Sequence, residues 1–206
     1  MKRALLAAVT CALLANPASA ATVLDASNDF LPSYTGPKLP DLDVTAFSVT
    51  YDPVALSFLL GAKFAGAIDP ATPGFYVIGV NTGTGVIDPF DAIGQGNVIF
   101  NQAIVIQKTG ASNIGTASIS GDSFLASVPL SALPSTGFGP LDYGFNLWPR
   151  TGQGNALISD FAPENATLSA AVPEPSLWAT MVLGFGLVGG ALRTAKRRRR
   201  LAVSNA

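Results

Sequence analysis

The middle of this chain is interrupted so often by glycine and proline that long helices are excluded there. Residues 21–171 contain 17 glycines and 12 prolines, and both residue types are unfavourable in helix interiors. Between them lie short apolar runs rich in β-branched and aromatic side chains, which favour strands. The predicted strands are 44–51, 54–60, 75–80, 97–107, 117–120, 124–129 and 143–148.

The run 44–51 also alternates with a period of two, as a strand with one buried face does. Thr45, Phe47, Val49 and Tyr51 form the larger face, and Val44, Ala46, Ser48 and Thr50 form the other. Asp52-Pro53 and residues 69–74 are turn signals, and 129–134 predicts a single helical turn between prolines. The sequence therefore predicts an all-β fold, a single β-sandwich domain over 21–171.

The first twenty residues have the three parts of a secretory signal peptide. Lys2 and Arg3 precede the apolar run 4–15, and small residues at Ala18 and Ala20 predict cleavage after position 20. The expected partners are the Sec machinery and signal peptidase. A lipoprotein signal at Cys11 is the alternative, but only seven apolar residues precede that cysteine. After the cut the mature chain has no cysteine.

A second uncharged run, 177–192, is sixteen residues long and lies near the C-terminus. With its flanking residues it predicts one transmembrane helix. A basic cluster follows and predicts that the preceding domain lies outside the cytoplasm. That membrane stop consists of Arg193, Lys196, Arg197, Arg198, Arg199 and Arg200. A buried helix beside a nucleic-acid-binding tail is the alternative, which the signal peptide disfavours.

A Pro-Glu-Pro peptide stands directly before this run. Its prolines predict an extended, exposed segment, which by itself is typical of a linker. The order of Pro173, Glu174 and Pro175, then Trp178 and Ala179, an apolar span and an arginine cluster resembles the PEP-CTERM sorting signal. The resemblance implies that 172–200 is recognised by an exosortase, a multi-spanning membrane enzyme, and cleaved near the Pro-Glu-Pro motif. Residues 201–206 then form a short cytoplasmic tail, longer than is usual in that family.

Charge and composition narrow the role of the central domain. Residues 21–172 carry twelve acidic and four basic side chains, a formal charge of −8, which excludes nucleic acid as a partner. The chain has no histidine, and its serines lack a nucleophile elbow, so we expect no enzyme activity. A glycosidase needs two suitably spaced carboxylates. The acids that remain open for that role are Asp88, Asp91, Asp122, Asp142 and Glu164.

Segments of the central domain resemble DOMON-like and family 9 carbohydrate-binding-like sandwiches. The residues concerned are 25–32, 34–36, 41–44 and 49–52, the strand 75–81 and the strand 143–148. The resemblance implies that sugars or haem are the ligands of such a domain. Haem is disfavoured here because histidine and mature cysteine are absent.

Two candidate binding sites follow from side-chain type. Oxygen-bearing residues near the N-terminus could hold Ca²⁺ if their segments meet, or they are solvated turn residues. These candidates are Asp25, Asn28, Asp29, Asp41 and Asp43. Tyr34 and Trp148 are the candidates for stacking on a sugar, although such aromatics more often belong to the core.

Together these features predict an exported, non-catalytic protein of the envelope, cell surface or extracellular matrix. We expect an inner-membrane-anchored intermediate, followed by surface or extracellular localisation, with exopolysaccharide as a candidate partner. The alternative is a secreted carbohydrate-binding module, or a weak glycan-acting enzyme, that is delivered by the same signal.

Overall fold

The computed structural model describes residues 20–84, 87 and 90–170, and these are mostly β-strands. The strands are β1 (Ala21–Leu24), β2 (Val44–Asp52), β3 (Ser57–Phe64), β4 (Phe75–Asn81), β5 (Gln102–Gln107), β6 (Thr116–Ser120), β7 (Ser123–Pro129), β8 (Gly144–Arg150) and β9 (Leu168–Ser169). Short 3₁₀ turns occupy Pro40–Leu42, Asp91–Ile93, Leu130–Ala132, Pro140–Asp142 and Asn155–Leu157. This part of the chain has no α-helix.

The terminal segments discussed above fall outside the described residues. The expected signal peptide, the Pro-Glu-Pro motif, the apolar span and the basic cluster are therefore predictions from sequence. No segment of the described part forms a helix with the length and hydropathy that a bilayer span requires.

The strands form two antiparallel sheets. One has the order β1-β2-β3-β7-β6, and the other has the order β5-β4-β8-β9. Aromatic side chains from the two sheets contact each other. The ring centroids of Phe58 and Phe145 are 5.0 Å apart, and those of Phe64 and Tyr76 are 4.5 Å apart. The two sheets thus share one hydrophobic core.

Strand β2 shows how the period-two pattern directs burial. Phe47 and Val49 are buried, as the larger predicted face requires. Val44 belongs to the opposite predicted face, yet it is also fully buried. The pairing of β2 with β3 shifts register between Val44 and Ala46, so an irregularity there turns Val44 inward.

Strand β3 begins three residues later than the predicted run 54–60 and ends at Phe64. The first residues of the predicted run belong to the turn after β2, because Asp52 Oδ1 accepts hydrogen bonds from the backbone N–H groups of Val54 (2.8 Å) and Ala55 (2.9 Å). Phe58 and Leu60 then face the core, while Lys63 faces solvent. In the run 97–107 only the second half is a strand.

The four-stranded sheet buries its outer face as well. Val77 and Trp148 lie on that face and belong to a second hydrophobic cluster. Residues from two connecting segments cover them, with Leu31 and Tyr34 from one and Phe90 and Val98 from the other. The segment between β4 and β5 thus supplies part of a core.

Candidate cation site

Three separated segments of the chain meet beside the start of β2. The backbone N–H of Asp25 donates to the carbonyl of Thr45 (3.0 Å), and that of Leu31 donates to the carbonyl of Ser159 (2.9 Å). These bonds hold the segment after β1 against both β2 and the segment 158–161. As a result Asp29, Asp43 and Asp160 each present a carboxylate oxygen within 4.8 Å of the other two. We call these three residues the aspartate cluster.

Two members of the aspartate cluster are buried and one is exposed. Asp160 is only 5% exposed, and its two oxygens accept hydrogen bonds from the N–H groups of Val44 (2.8 Å) and Phe161 (2.7 Å). Asp43 is 3% exposed, and its Oδ2 accepts from the N–H of Asn28 (2.6 Å). Asp43 Oδ1 is buried and has no hydrogen-bond partner. Asp29 is exposed, so the cluster opens to solvent on that side.

Burial and repulsion raise the pKa of Asp43 and Asp160 in the cluster and of Asp25 beside it. Desolvation, with smaller contributions from Asp25 and Asp29, raises the pKa of Asp160 to about 8. Desolvation, followed by repulsion from Asp29, raises the pKa of the neighbouring Asp25 to about 6. Glu164 and Asp43 add to the repulsion at Asp25. Desolvation also raises the pKa of Asp43. The carboxylates of Asp25, Asp43 and Asp160 are therefore less stable as anions than in water.

Asp25 extends the anionic region although it is not a member of the cluster. Its Oδ1 accepts a hydrogen bond from the N–H of Ala26 (3.1 Å), while Oδ2 is buried and unpartnered. Among the described residues the ion pairs are Lys63–Asp122 and Lys108–Asp41. Neither lies in this region, so the carboxylates lack a basic counterion.

The structure changes the set of ligands that the sequence predicted for Ca²⁺. It places Asp29 and Asp43 together and adds Asp160, which sequence analysis missed. Asn28 contributes its backbone N–H to Asp43, and its φ of 66° is in the left-handed region that asparagine tolerates.

Asp41 does not belong to this region, although it was among the predicted ligands. Its Oδ2 accepts from Lys108 Nζ at 2.6 Å, and both side chains are only 3% exposed. The same oxygen accepts from the N–H of Asp69 (3.1 Å). Asp41 therefore forms a buried ion pair with Lys108 and is not part of the aspartate cluster.

Tyr34 and Trp148, the candidates for stacking on a sugar, are both buried. Tyr34 is 7% exposed, stacks on Phe30 with centroids 6.0 Å apart, and donates its hydroxyl proton to the Pro37 carbonyl (3.0 Å). Trp148 is 2% exposed and packs against Phe90. Because both rings pack in the second cluster, neither offers a free face for stacking on a sugar.

A groove of about 340 Å³ lies on the outer face of the four-stranded sheet. Aromatic residues line part of it, and Trp148 is one of them. Arg150 lies at the rim and donates to the carbonyls of Gly152 (2.5 Å) and Gly154 (3.0 Å). The groove therefore combines apolar walls with polar groups.

The acids considered for glycosidase chemistry occupy separate local settings. Asp91 and Asp142 lie in the first turns of two 3₁₀ segments. Asp122 is ion-paired with Lys63. Glu164 contributes to the repulsion at Asp25, and Asp88 lies outside the described residues.

No family model, curated protein or solved structure matches this chain.

Proposed function

We propose that the chain is an exported, non-catalytic protein of the envelope, surface or extracellular matrix. Its C-terminal segment directs sorting, and an exosortase cleaves it near Pro173–Pro175. The observation that carries this proposal is the order of Pro-Glu-Pro, apolar span and basic cluster directly after an acidic β-domain.

The structure of the domain is consistent with such a cargo. Two antiparallel sheets share one core, which is the arrangement of a β-sandwich. The last described strand ends at Ser169, three residues before the 172–175 peptide, which the sequence predicts to be extended, begins. A protease that reads an extended peptide could therefore act there without unfolding a described strand.

Mass spectrometry of both mature termini tests the proposal. In cells that contain an exosortase we expect an N-terminus at Ala21 and a C-terminus near Pro173–Pro175. Cells that lack the enzyme should retain the C-terminal segment. Glu174→Gln should slow processing, whereas Glu164→Gln, a carboxylate in the domain, serves as the matched control. Full-length chain in the cytosol with both ends intact would overturn the proposal.

A carbohydrate-binding module is the second candidate, and the groove on the outer sheet face favours it. Gln153 is an exposed amide on the lining, and it could exchange a hydrogen bond with a sugar hydroxyl. Trp148→Ala is a poor test because the ring is part of the core. Gln153→Ala should weaken glycan binding about fivefold, the value of one hydrogen bond.

The matched control is Gln107→Ala, an exposed amide at the end of β5 that does not line the groove. Glycan-array binding that falls in Gln153→Ala and persists in Gln107→Ala would support this candidate. No binding by the purified protein to any glycan of the array would count against it.

A further inference from the structure

We infer that the aspartate cluster, Asp29, Asp43 and Asp160, is a calcium-binding site that joins the segment after β1 to β2 and to the segment 158–161. This inference does not depend on the sorting proposal. It concerns a ligand of the folded domain and not its route through the cell.

The unpartnered oxygen of Asp43 is the observation that distinguishes a site from a chance group of acids. A buried carboxylate oxygen normally accepts at least one hydrogen bond, because leaving it without a partner costs free energy. Asp43 is 3% exposed, yet Oδ1 accepts none. The other oxygen of Asp43 is held by the Asn28 N–H, which fixes the carboxylate beside Asp29 and Asp160. A cation would supply the missing partner.

The donor set selects the kind of cation. All three side-chain donors are carboxylate oxygens, and the cluster contains no nitrogen or sulfur ligand. Such a set suits hard cations, Ca²⁺ and Mg²⁺, rather than transition metals. Ca²⁺ binds oxygen at 2.3–2.6 Å, so two of its ligands can be about 5 Å apart, whereas ligands of Mg²⁺ reach only about 4 Å. The cluster oxygens lie within 4.8 Å of one another, which is inside the span of a Ca²⁺ shell. The flexible coordination of Ca²⁺ also accommodates irregularly spaced ligands better than the near-ideal octahedron that Mg²⁺ demands.

Neighbouring groups can complete the coordination that Ca²⁺ requires. Ca²⁺ takes six to eight oxygens, and three carboxylates supply only part of them. Asp25 has a buried, unpartnered Oδ2, and the hydrogen bond from its N–H to the Thr45 carbonyl (3.0 Å) holds it beside the start of β2. The exposed side chain of Asp29 leaves room for water ligands. Bound Ca²⁺ would then add a direct link between three segments that backbone hydrogen bonds and the carboxylates of Asp43 and Asp160 already join.

Calorimetric titration and thermal unfolding of the full-length chain in non-ionic detergent at pH 7.5 test the inference. We expect one binding event with CaCl₂. At a hundredfold excess over the dissociation constant, the melting temperature should rise by roughly 5–10 °C relative to chelator. Mg²⁺ should produce a smaller rise at the same concentration.

Asp43→Asn is the most informative variant. Its amide oxygen can still accept from the Asn28 N–H, while its NH₂ replaces the unpartnered anionic oxygen and can donate to the other carboxylates. We expect it to melt no lower than wild type in chelator and to lose the calcium-dependent rise. Asp160→Asn is less suitable, because both oxygens of Asp160 accept from N–H groups.

Two further variants make each outcome decisive. Asp142→Asn, an exposed acid outside the cluster, should retain the full calcium response. Asp29→Asn removes an exposed ligand, so it should fold normally and bind calcium at least tenfold more weakly. The inference is wrong if wild type shows neither heat of binding nor a higher melting temperature in 10 mM CaCl₂. It is also wrong if Asp29→Asn and Asp43→Asn respond as wild type does, or if Mg²⁺ matches Ca²⁺.

Discussion

The buried ion pair between Lys108 and Asp41 supports a quantitative prediction. Lys108 Nζ lies 2.6 Å from Asp41 Oδ2 and 2.7 Å from Thr72 Oγ1, and both charged side chains are 3% exposed. The pair joins the end of β5 to the 3₁₀ turn before β2. The substitution Lys108→Met keeps most of the aliphatic volume of the lysine side chain. The Asp41 carboxylate then loses its positively charged partner and keeps the hydrogen bond from the Asp69 N–H.

The expected cost follows from that burial. Removing one partner of a buried ion pair leaves an uncompensated charge and typically costs about 3–5 kcal/mol. In a domain of this size that corresponds to a fall in melting temperature of roughly 6–20 °C. An exposed pair would cost about 1 kcal/mol or less.

A second substitution separates the loss of charge pairing from the loss of packing. In Lys108→Met/Asp41→Asn the amide oxygen of position 41 can still accept from the Asp69 N–H, and no buried charge remains. We expect the double variant to recover most of the stability that Lys108→Met loses. Urea unfolding followed by near-ultraviolet circular dichroism measures this, with comparable m-values as the condition for comparing free energies.

The reasoning would be refuted by either of two results. If Lys108→Met loses less than about 1 kcal/mol, the pair behaves as a solvated one. If the double variant is as unstable as Lys108→Met, the loss comes from packing around the lysine stem and not from the charge left at Asp41.

Two further predictions concern a tight backbone contact and a buried amide. Gly115→Ala would place a Cβ against the Ser127 carbonyl oxygen at a φ of 70°, whereas Gly121→Ala, at a φ of 58°, meets nothing within 4 Å. We expect Gly121→Ala to lower the free energy of unfolding by about 1–2 kcal/mol from backbone strain alone, and Gly115→Ala to lower it clearly more. Urea unfolding measures both losses, and equal midpoints for the two variants would contradict this prediction. Asn146→Ala removes Nδ2 hydrogen bonds to the carbonyls of Pro163 (2.6 Å) and Ala166 (2.8 Å), so it should cost about 2 kcal/mol, and unchanged thermal unfolding would contradict that.

Local patterns in the sequence were sufficient for most of the fold. Alternation predicted the buried positions Phe47 and Val49, and the prolines around Leu130–Ala132 predicted its single helical turn. Strands β1 and β9 were missed because they are short, and their residues alternate only between partly buried and exposed. Their existence depends on pairing with β2 and β8, which no local window contains.

The candidate site was predictable only in part, for the same reason. Asp25, Asn28 and Asp29 are close in sequence, so a shared location was a sound expectation. Asp160 is distant in sequence, and long-range hydrogen bonds, from Leu31 to Ser159 and from Val44 to Asp160, bring its segment to the cluster. Asp41 and Asp43 are two residues apart, yet Asp41 pairs with Lys108 and Asp43 joins the cluster. Spacing could not distinguish them, because the partners that decide their roles come from distant parts of the chain.

The four basic side chains of the domain are all engaged away from the aspartate cluster. Lys63 and Lys108 are paired with Asp122 and Asp41. Lys38 lies 5.5 Å from the centroid of the Phe30 ring, and Arg150 donates to backbone carbonyls. None of the four forms an ion pair with Asp25, Asp29, Asp43 or Asp160. Since buried carboxylates must either bind protons or meet positive charge, and the described domain supplies no basic partner, Asp43 and Asp160 either take up protons or pair with a cation from solution, which is the choice that the calcium titration decides.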